Sequence, residues 1–322
     1  MLFKYNQIQL ILFIFSVLSI SIKSKTLSQN NNEIYDLEEQ RKIYNYDLIK
    51  ENPHLFQDYF ISLFENNHKL NLTLFEKNHK KIKERINYII ANKQKYNDIY
   101  IILSSIYGAF LADAMGATTE FSPKDPNNHN NIYREDGTFK PGQITDDSEM
   151  AMSQSFGIID NYFYKTLNQN ILYYYYVLWL KSDPLDIGTT TRKALYYLDT
   201  NKINITDKNV FTQKIKANIK IKNSNSKSNG FLMRASPFAT WFYMLNRNYV
   251  KEMLQTKSSK HYFDLYKKII DEFSKDSELT HSNEELPYGG SLIMFMALCS
   301  LEQRYSGNDI INMVKILFSN KY

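Results

Sequence analysis

Residues 99–116 read IYIILSSIYGAFLADAMG. Ile102, Ile106, Ala109, Phe110, Asp113 and Gly116 fall on one stripe when the stretch is wound as a helix, which is the period of an amphipathic helix and not the alternation of a strand. Gly108, Ala109, Ala112 and Ala114 are small, which predicts close packing against a neighbouring helix. Asp113 shares that stripe, and an acid there costs energy unless donors meet it. The same period recurs downstream and predicts helices over 146–160, 162–181, 189–198, 237–245, 262–273, 290–304 and 310–318. Alternating hydrophobic strands are scarce. The expectation is an all-α fold, a compact orthogonal multi-helix domain whose polar loops and helix starts converge on one face.

Upstream of this helix the chain changes character. From residue 30 to about 97 it is charged and asparagine-rich, with Phe64, Leu70, Leu74, Ile82, Ile86, Ile89 and Ile90 at helical intervals, and Pro53 suits a helix start or a break. Before that, Lys4 precedes an apolar run over 8–22, with Ser19 and Ser21 as a small-x-small cleavage site. That run is shorter than the ~20 residues of a membrane span, so a secretory signal peptide is the first reading and a signal anchor the alternative. The sequons Asn71-Leu72-Thr73 and Asn204-Ile205-Thr206 agree with a secreted or lumenal protein. The expected organisation is a signal peptide over 1–21, a charged helical extension over 22–97 and one domain over 98–322.

Composition narrows the function classes. The 322 residues are 43% hydrophobic and 23% charged, ordinary for a globular chain that buries a core. The net charge of +5 is spread over scattered lysines without a basic block, so nucleic acid is not the expected partner. No stable membrane span is expected after signal cleavage, and a monomer is. The single cysteine, Cys299, lies in an apolar run and reads as a small buried hydrophobe; no internal disulfide is possible. One cysteine and six scattered histidines offer no zinc spacing.

Two segments carry chemistry. In Thr145-Asp146-Asp147-Ser148-Glu149, three acids stand within four residues ahead of the apolar Met150-Ala151-Met152. A threonine cap with acidic first-turn residues complements the helix dipole. The same oxygens also suit a hard cation, Mg²⁺ or Mn²⁺. In Ser228-Asn229-Gly230-Phe231-Leu232-Met233-Arg234, a polar turn runs into a helix predicted to begin near Leu232. Its backbone N–H groups can hold a phosphate, with Gly230 permitting close approach, or the glycine can serve the turn alone.

Taken in order, GAFLADAMGATTEF from Gly108, TDDSEMAM from Thr145, IGTTTRKAL from Ile187, SNGFLMRASPFA from Ser228 and LTHSNEELPYGGSL from Leu279 resemble the ADP-ribosylglycohydrolase family. The likeness extends to its ADP-ribosylarginine hydrolases and dinitrogenase reductase activating glycohydrolases. The resemblance implies an all-α domain that holds two Mg²⁺ or Mn²⁺ ions and hydrolyses the glycosidic bond between ADP-ribose and a side chain, commonly arginine. ADP-ribose or an ADP-ribosylated protein is then the partner. Carried over, Thr145, Asp146 and Asp147 would ligate metal. Glu120 would stand near the ribose and, with Asp146 and Asp147, supply the catalytic carboxylate. Asn229, Gly230, Phe231, Leu232 and Met233 would face the diphosphate, and His281, Tyr288 and Gly289 would contact the ligand.

The chain departs from that pattern in two places. Ala112 stands where the family has glycine. The family's second metal cluster, an Asp-x-Asp-Ser/Thr segment, is not reached before Tyr322, and Asp309 has no aspartate two residues on. The expectation is a C-terminally incomplete domain with one acidic cluster, and the alternative to an active enzyme is a secreted relative that binds ADP-ribose or serves a structural role without turnover.

Overall fold

Every regular element among the described residues is a helix. The computed structural model describes residues 91, 97–117, 120–121, 144–160, 166–181, 184, 186–196 and 213–319. The signal segment expected over 1–21, nearly all of the extension over 22–97, both sequons and residues 122–143 lie outside the described residues. Among the described residues the helices are α1 (Asn97–Gly116), α2 (Asp146–Asp160), α3 (Gln169–Lys181), α4 (Thr189–Leu195), α5 (Gln213–Asn223), α6 (Ala235–Gln255), α7 (Ser259–Ser277), α8 (Leu286–Leu301) and α9 (Gly307–Leu317), with a 3₁₀ turn, Leu232–Arg234, ahead of α6. None of them is long and apolar enough to cross a membrane. The chain divides into two units, Met1–Met152 with Leu178–Asp186, and Ser153–Val177 with Ile187–Tyr322.

In the first unit α1 buries Ile101, Ile106 and Phe110, and Ala117 is buried just past its end, while Gly108, Ala109 and Ala112 face outward. Among the described residues nothing approaches Gly108, where an added Cβ would meet nothing within 4 Å, so the close approach expected at the small residues of α1 is not seen there. The apolar side chains, not the small ones, set which face turns inward. Met150, Ala151 and Met152 of α2 and Leu178, Trp179 and Leu180 of α3 complete the unit's buried set.

The close helix contact lies in the second unit instead. A Cβ on Gly157 of α2 would stand 2.7 Å from Leu172 Cδ2 and 3.3 Å from the Leu172 backbone, so only glycine lets α2 and α3 approach there. Helix α3 is apolar on all sides and buried from 172 to 180, as a helix without a polar face must be. Helix α7 packs on α6, α8 and α9 through the stripe Tyr262, Leu265, Tyr266, Ile269 and Phe273. Phe238 of α6 meets Phe273 edge-on at 4.9 Å between centroids, and Tyr262 meets Phe295 of α8 at 5.9 Å. Each fully buried ring of this kind stabilises the unit by roughly 1.5–3 kcal/mol.

Several boundaries differ from expectation for physical reasons. Helix α3 begins at Gln169, because Asn168 turns its side chain back to accept from the Asn170 N–H at 3.0 Å and caps the start. Helix α6 continues past the expected end at 245 through a kink at Asn246, whose Nδ2 donates to Phe242 O at 3.0 Å. Helix α8 starts at Leu286, with Pro287 in its first turn. Helix α9 starts at Gly307, closed by a reciprocal box between Ser306 and Asp309, so Asp309 serves as a capping acid. Helix α5 was not anticipated.

Candidate active site

The acid on the α1 stripe finds its donors at the start of α2. Asp113 Oδ1 accepts from the Thr145 hydroxyl at 2.7 Å, and Oδ2 accepts from the Thr145 N–H at 3.0 Å, the Ser148 N–H at 3.2 Å and the Ser148 hydroxyl at 2.5 Å. A carboxylate from another helix therefore satisfies N–H groups that α2 leaves open at its first turn. Thr145 gives its only proton to Asp113 and accepts from the Asp147 N–H at 3.3 Å, which is the predicted cap. Its remaining lone pair stays available to a ligand.

Around that start the same unit gathers like charges. Partial desolvation, then Asp147, Asp186, Glu120 and Asp113, push the Asp146 carboxyl up to about 7. Asp147 is raised by desolvation and by Asp113 and Asp186, and Glu120 by desolvation and by Asp186, Asp147 and Asp113. Glu149 is buried, and desolvation carries it to about 8 despite accepting from the Trp179 indole N–H at 2.7 Å. Glu120 sits in the turn after α1, closed by its N–H to Ala117 O at 3.2 Å and followed by Phe121 in the left-handed region at φ 58°, uncommon for a residue with a Cβ.

Five of these six acids, Asp113, Glu120, Asp146, Asp147 and Glu149, stand in the sequence motifs. Asp186 was missed, although an acid directly ahead of Ile187-Gly188 and the α4 start was its signal. Asp113 was flagged only as an acid in need of partners. As donors, Thr145, Asp146, Asp147 and Asp186 fit a hard divalent cation in type and charge, since carboxylates that raise one another's pKa gain most from a shared cation. Among the described residues no three acids, histidines or cysteines converge as a ready-made chelate, so no coordination geometry follows.

The second unit holds the glycine turn. Leu232 N–H closes it by donating to Asn229 O at 2.8 Å. Asn229 is exposed, Gly230, Leu232 and Met233 are half-buried, and the Phe231 ring turns into the core against Phe273 at 5.7 Å and His281 at 5.4 Å. Of the residues expected to face a diphosphate, Phe231 therefore offers its backbone only. His281 is buried beneath the turn, with Nε2 at 3.3 Å from where a Cβ on Gly230 would stand. Burial and the Arg234 charge lower its pKa to about 3. A Cβ on Gly290 would collide with the Phe231 and Phe273 rings, so the second glycine of the pair seats α8 against the turn. Gly289 and Tyr288 are exposed on the first turn of α8, with Tyr288 O accepting from the Tyr266 hydroxyl at 2.7 Å.

Beneath the turn lies a group that the motifs did not reveal. Arg234 and Asp276, both fully buried, pair at 2.9 Å, and the Tyr176 hydroxyl donates to the other Asp276 oxygen. Arg234 also donates to Asp276 O at 3.3 Å and Thr280 Oγ1 at 3.1 Å, over the Tyr176 ring at 4.8 Å.

The described residues are thus helical, with acids concentrated at one helix start in the first unit and a glycine turn braced from below in the second. The ADP-ribosylglycohydrolase family model matches residues 97–319, and the chain belongs to that family. It is 30% identical over 232 residues to a protein of Acanthamoeba polyphaga mimivirus named as an ADP-ribosyl glycohydrolase, covering 68% of this chain and 60% of that protein. It is 34% identical over 99 residues to the ADP-ribosyl-[dinitrogen reductase] glycohydrolase of Rhodospirillum rubrum, covering 29% of this chain and 33% of that enzyme. The chain thus spans 60% and 33% of the two relatives' lengths.

Proposed function

We propose that this protein is a metal-dependent hydrolase that cleaves the glycosidic bond between ADP-ribose and a modified side chain, arginine first among them. The observation that carries the reading is the acid cluster of the first unit, in which Glu120, Asp146 and Asp147 are each raised by desolvation and then by neighbouring carboxylates. Membership of the family and the names of both relatives support the reaction class. Thr145, Asp146 and Asp147, joined by Asp186, would hold Mg²⁺ or Mn²⁺. Such an ion supplies Lewis-acid charge and acidifies bound water.

The protein's own groups divide the remaining work. Asp113 fixes Thr145 and the first turn of α2, so the flanking carboxylates are held on a rigid helix. Asp146 is one carboxylate that would take a proton from water attacking the anomeric carbon. Glu120 and Asp147 are the other carboxylates for that step. The Asn229–Met233 turn offers backbone N–H groups to the diphosphate.

The test is release of ADP-ribose from ADP-ribosyl-arginine by the full chain, with Mg²⁺ and with chelator, alongside Asp146→Ala plus Asp147→Ala. Release that needs Mg²⁺ and is abolished by the double variant is expected. ADP-ribose binding without release in either buffer would favour the non-catalytic reading, and release that persists in the double variant would move the chemistry away from α2.

A further inference from the structure

The hydrogen bonds that lead from Arg234 through Thr280 and His281 to the Ser228 hydroxyl run in one direction only. A guanidinium donates and cannot accept, so at 3.1 Å the Thr280 oxygen accepts from Arg234. Thr280 is fully buried, and the His281 Nδ1 at 2.8 Å is the acceptor for its proton among the described residues. Were Nδ1 protonated instead, the Thr280 proton would be left unpaired inside the core, at a cost of about 1–3 kcal/mol. Nδ1 therefore accepts. A buried neutral imidazole carries a single proton, which then resides on Nε2 and points at Ser228 Oγ, 3.3 Å away. The Gly230 N–H donates to the same oxygen at 3.4 Å. Two donors occupy the lone pairs of the Ser228 hydroxyl, and Ser228 is exposed on the turn, so its own proton faces outward.

We propose that Arg234 and Thr280 are positioning residues that hold His281 as the Nε2–H tautomer and make the Ser228 hydroxyl a one-way donor to an acceptor-only oxyanion seated on the glycine turn. This rests on the reading above, in which that oxyanion is the diphosphate of ADP-ribose. Phosphate oxygens accept and do not donate, whereas a ligand presenting a hydroxyl or amide proton at that point would meet a second proton. The chain thus selects among ligands by polarity as well as by charge.

The experiment pairs nitrogen NMR of the imidazoles with calorimetry on the full chain. In ¹⁵N-histidine-labelled protein, with the His281 resonances assigned from His281→Gln, the ring is expected to carry its proton on Nε2 and to stay neutral through the mildly acidic range. Thr280→Val should lose that preference and Thr280→Ser should keep it. Loss of one hydrogen bond to a charged group should weaken ADP-ribose binding about tenfold or more in Ser228→Ala, with Thr280→Ser close to the native protein. A native ring protonated on Nδ1, or charged at neutral pH, overturns the chain whether or not the variants fold. A native Nε2–H ring with ADP-ribose affinity unmoved by Ser228→Ala overturns its last link. Inorganic pyrophosphate separates the two readings. If ADP-ribose does not bind but pyrophosphate binds in a Ser228-dependent way, the chain stands and the assigned substrate falls; if neither binds, the oxyanion end is overturned.

Discussion

Asp113 accepts from four donors at the α2 start, and Asp113→Asn would turn an amide N–H towards them. An unmet donor there should cost about 1–3 kcal/mol. Because Asp113 also orients Thr145, the variant should weaken Mg²⁺ binding by about 10–100-fold, read by calorimetry; unchanged Mg²⁺ affinity would separate Asp113 from the site. That Asp113 needed partners was legible from an acid on an apolar stripe. Which partners it took was not, since the loop between Gly116 and Thr145 gives no spacing rule. The Trp179–Glu149 bond was illegible for a related reason. An acid is recognised as part of a site by what surrounds it, and its surroundings come from distant segments of the chain.

At the level of elements, α2 begins where Thr145 and the acidic run placed it, because a cap and a dipole act within one turn and are written locally. Helix α5 was hidden because Ile215 and Ile219 are its only large buried side chains, while Ile221 is exposed and four lysines fill much of the rest. Asn223, the third buried residue, stabilises it by donating to Thr190 O and Thr280 O at 2.9 Å each, contacts that no local pattern displays. Glycines separate in the same way. Gly157→Ala should lower stability by about 1–3 kcal/mol, since its Cβ would press on Leu172 side chain and backbone alike. Gly108→Ala, in open space inside α1, should raise it by roughly 0.5–1 kcal/mol through helix propensity. Thermal unfolding of both variants checks the pair, and shifts of the same sign would contradict the packing described at α2 and α3.

Across the whole molecule the acid cluster and the buried histidine set opposite pH dependences. Asp146 passes from 3.8 unfolded to about 7 folded and Glu149 from 4.5 to about 8. The folded state holds the extra protons between those values, so stability falls as pH rises through that window. His281 falls from 6.5 to about 3, so the unfolded state binds the extra proton and stability falls as pH drops below 6.5. Asp146→Asn should therefore raise Tm in chelator at pH 8 and give much less at pH 4. Mg²⁺ should likewise raise Tm more at pH 8 than at pH 5. Equal shifts at both pH values would show that the carboxylates do not repel one another as described. The all-helical character of the described residues was legible in the sequence because helix period repeats in most segments, while the Arg234–Asp276–Tyr176 group was not, because its three members come from separate helices and turns.

The bond from Trp179 to Glu149 has an optical consequence. The chain holds two tryptophans, and the other, Trp241, lies in the second unit. Indole emission responds to charge and hydrogen bonding at Nε1, so Trp179 is an intrinsic fluorophore wired to the carboxylate cluster. In a Trp241→Phe background its spectrum should move as Glu149 loses its proton near pH 8 and again when a cation enters, so occupancy of the site can be followed by light without any added label.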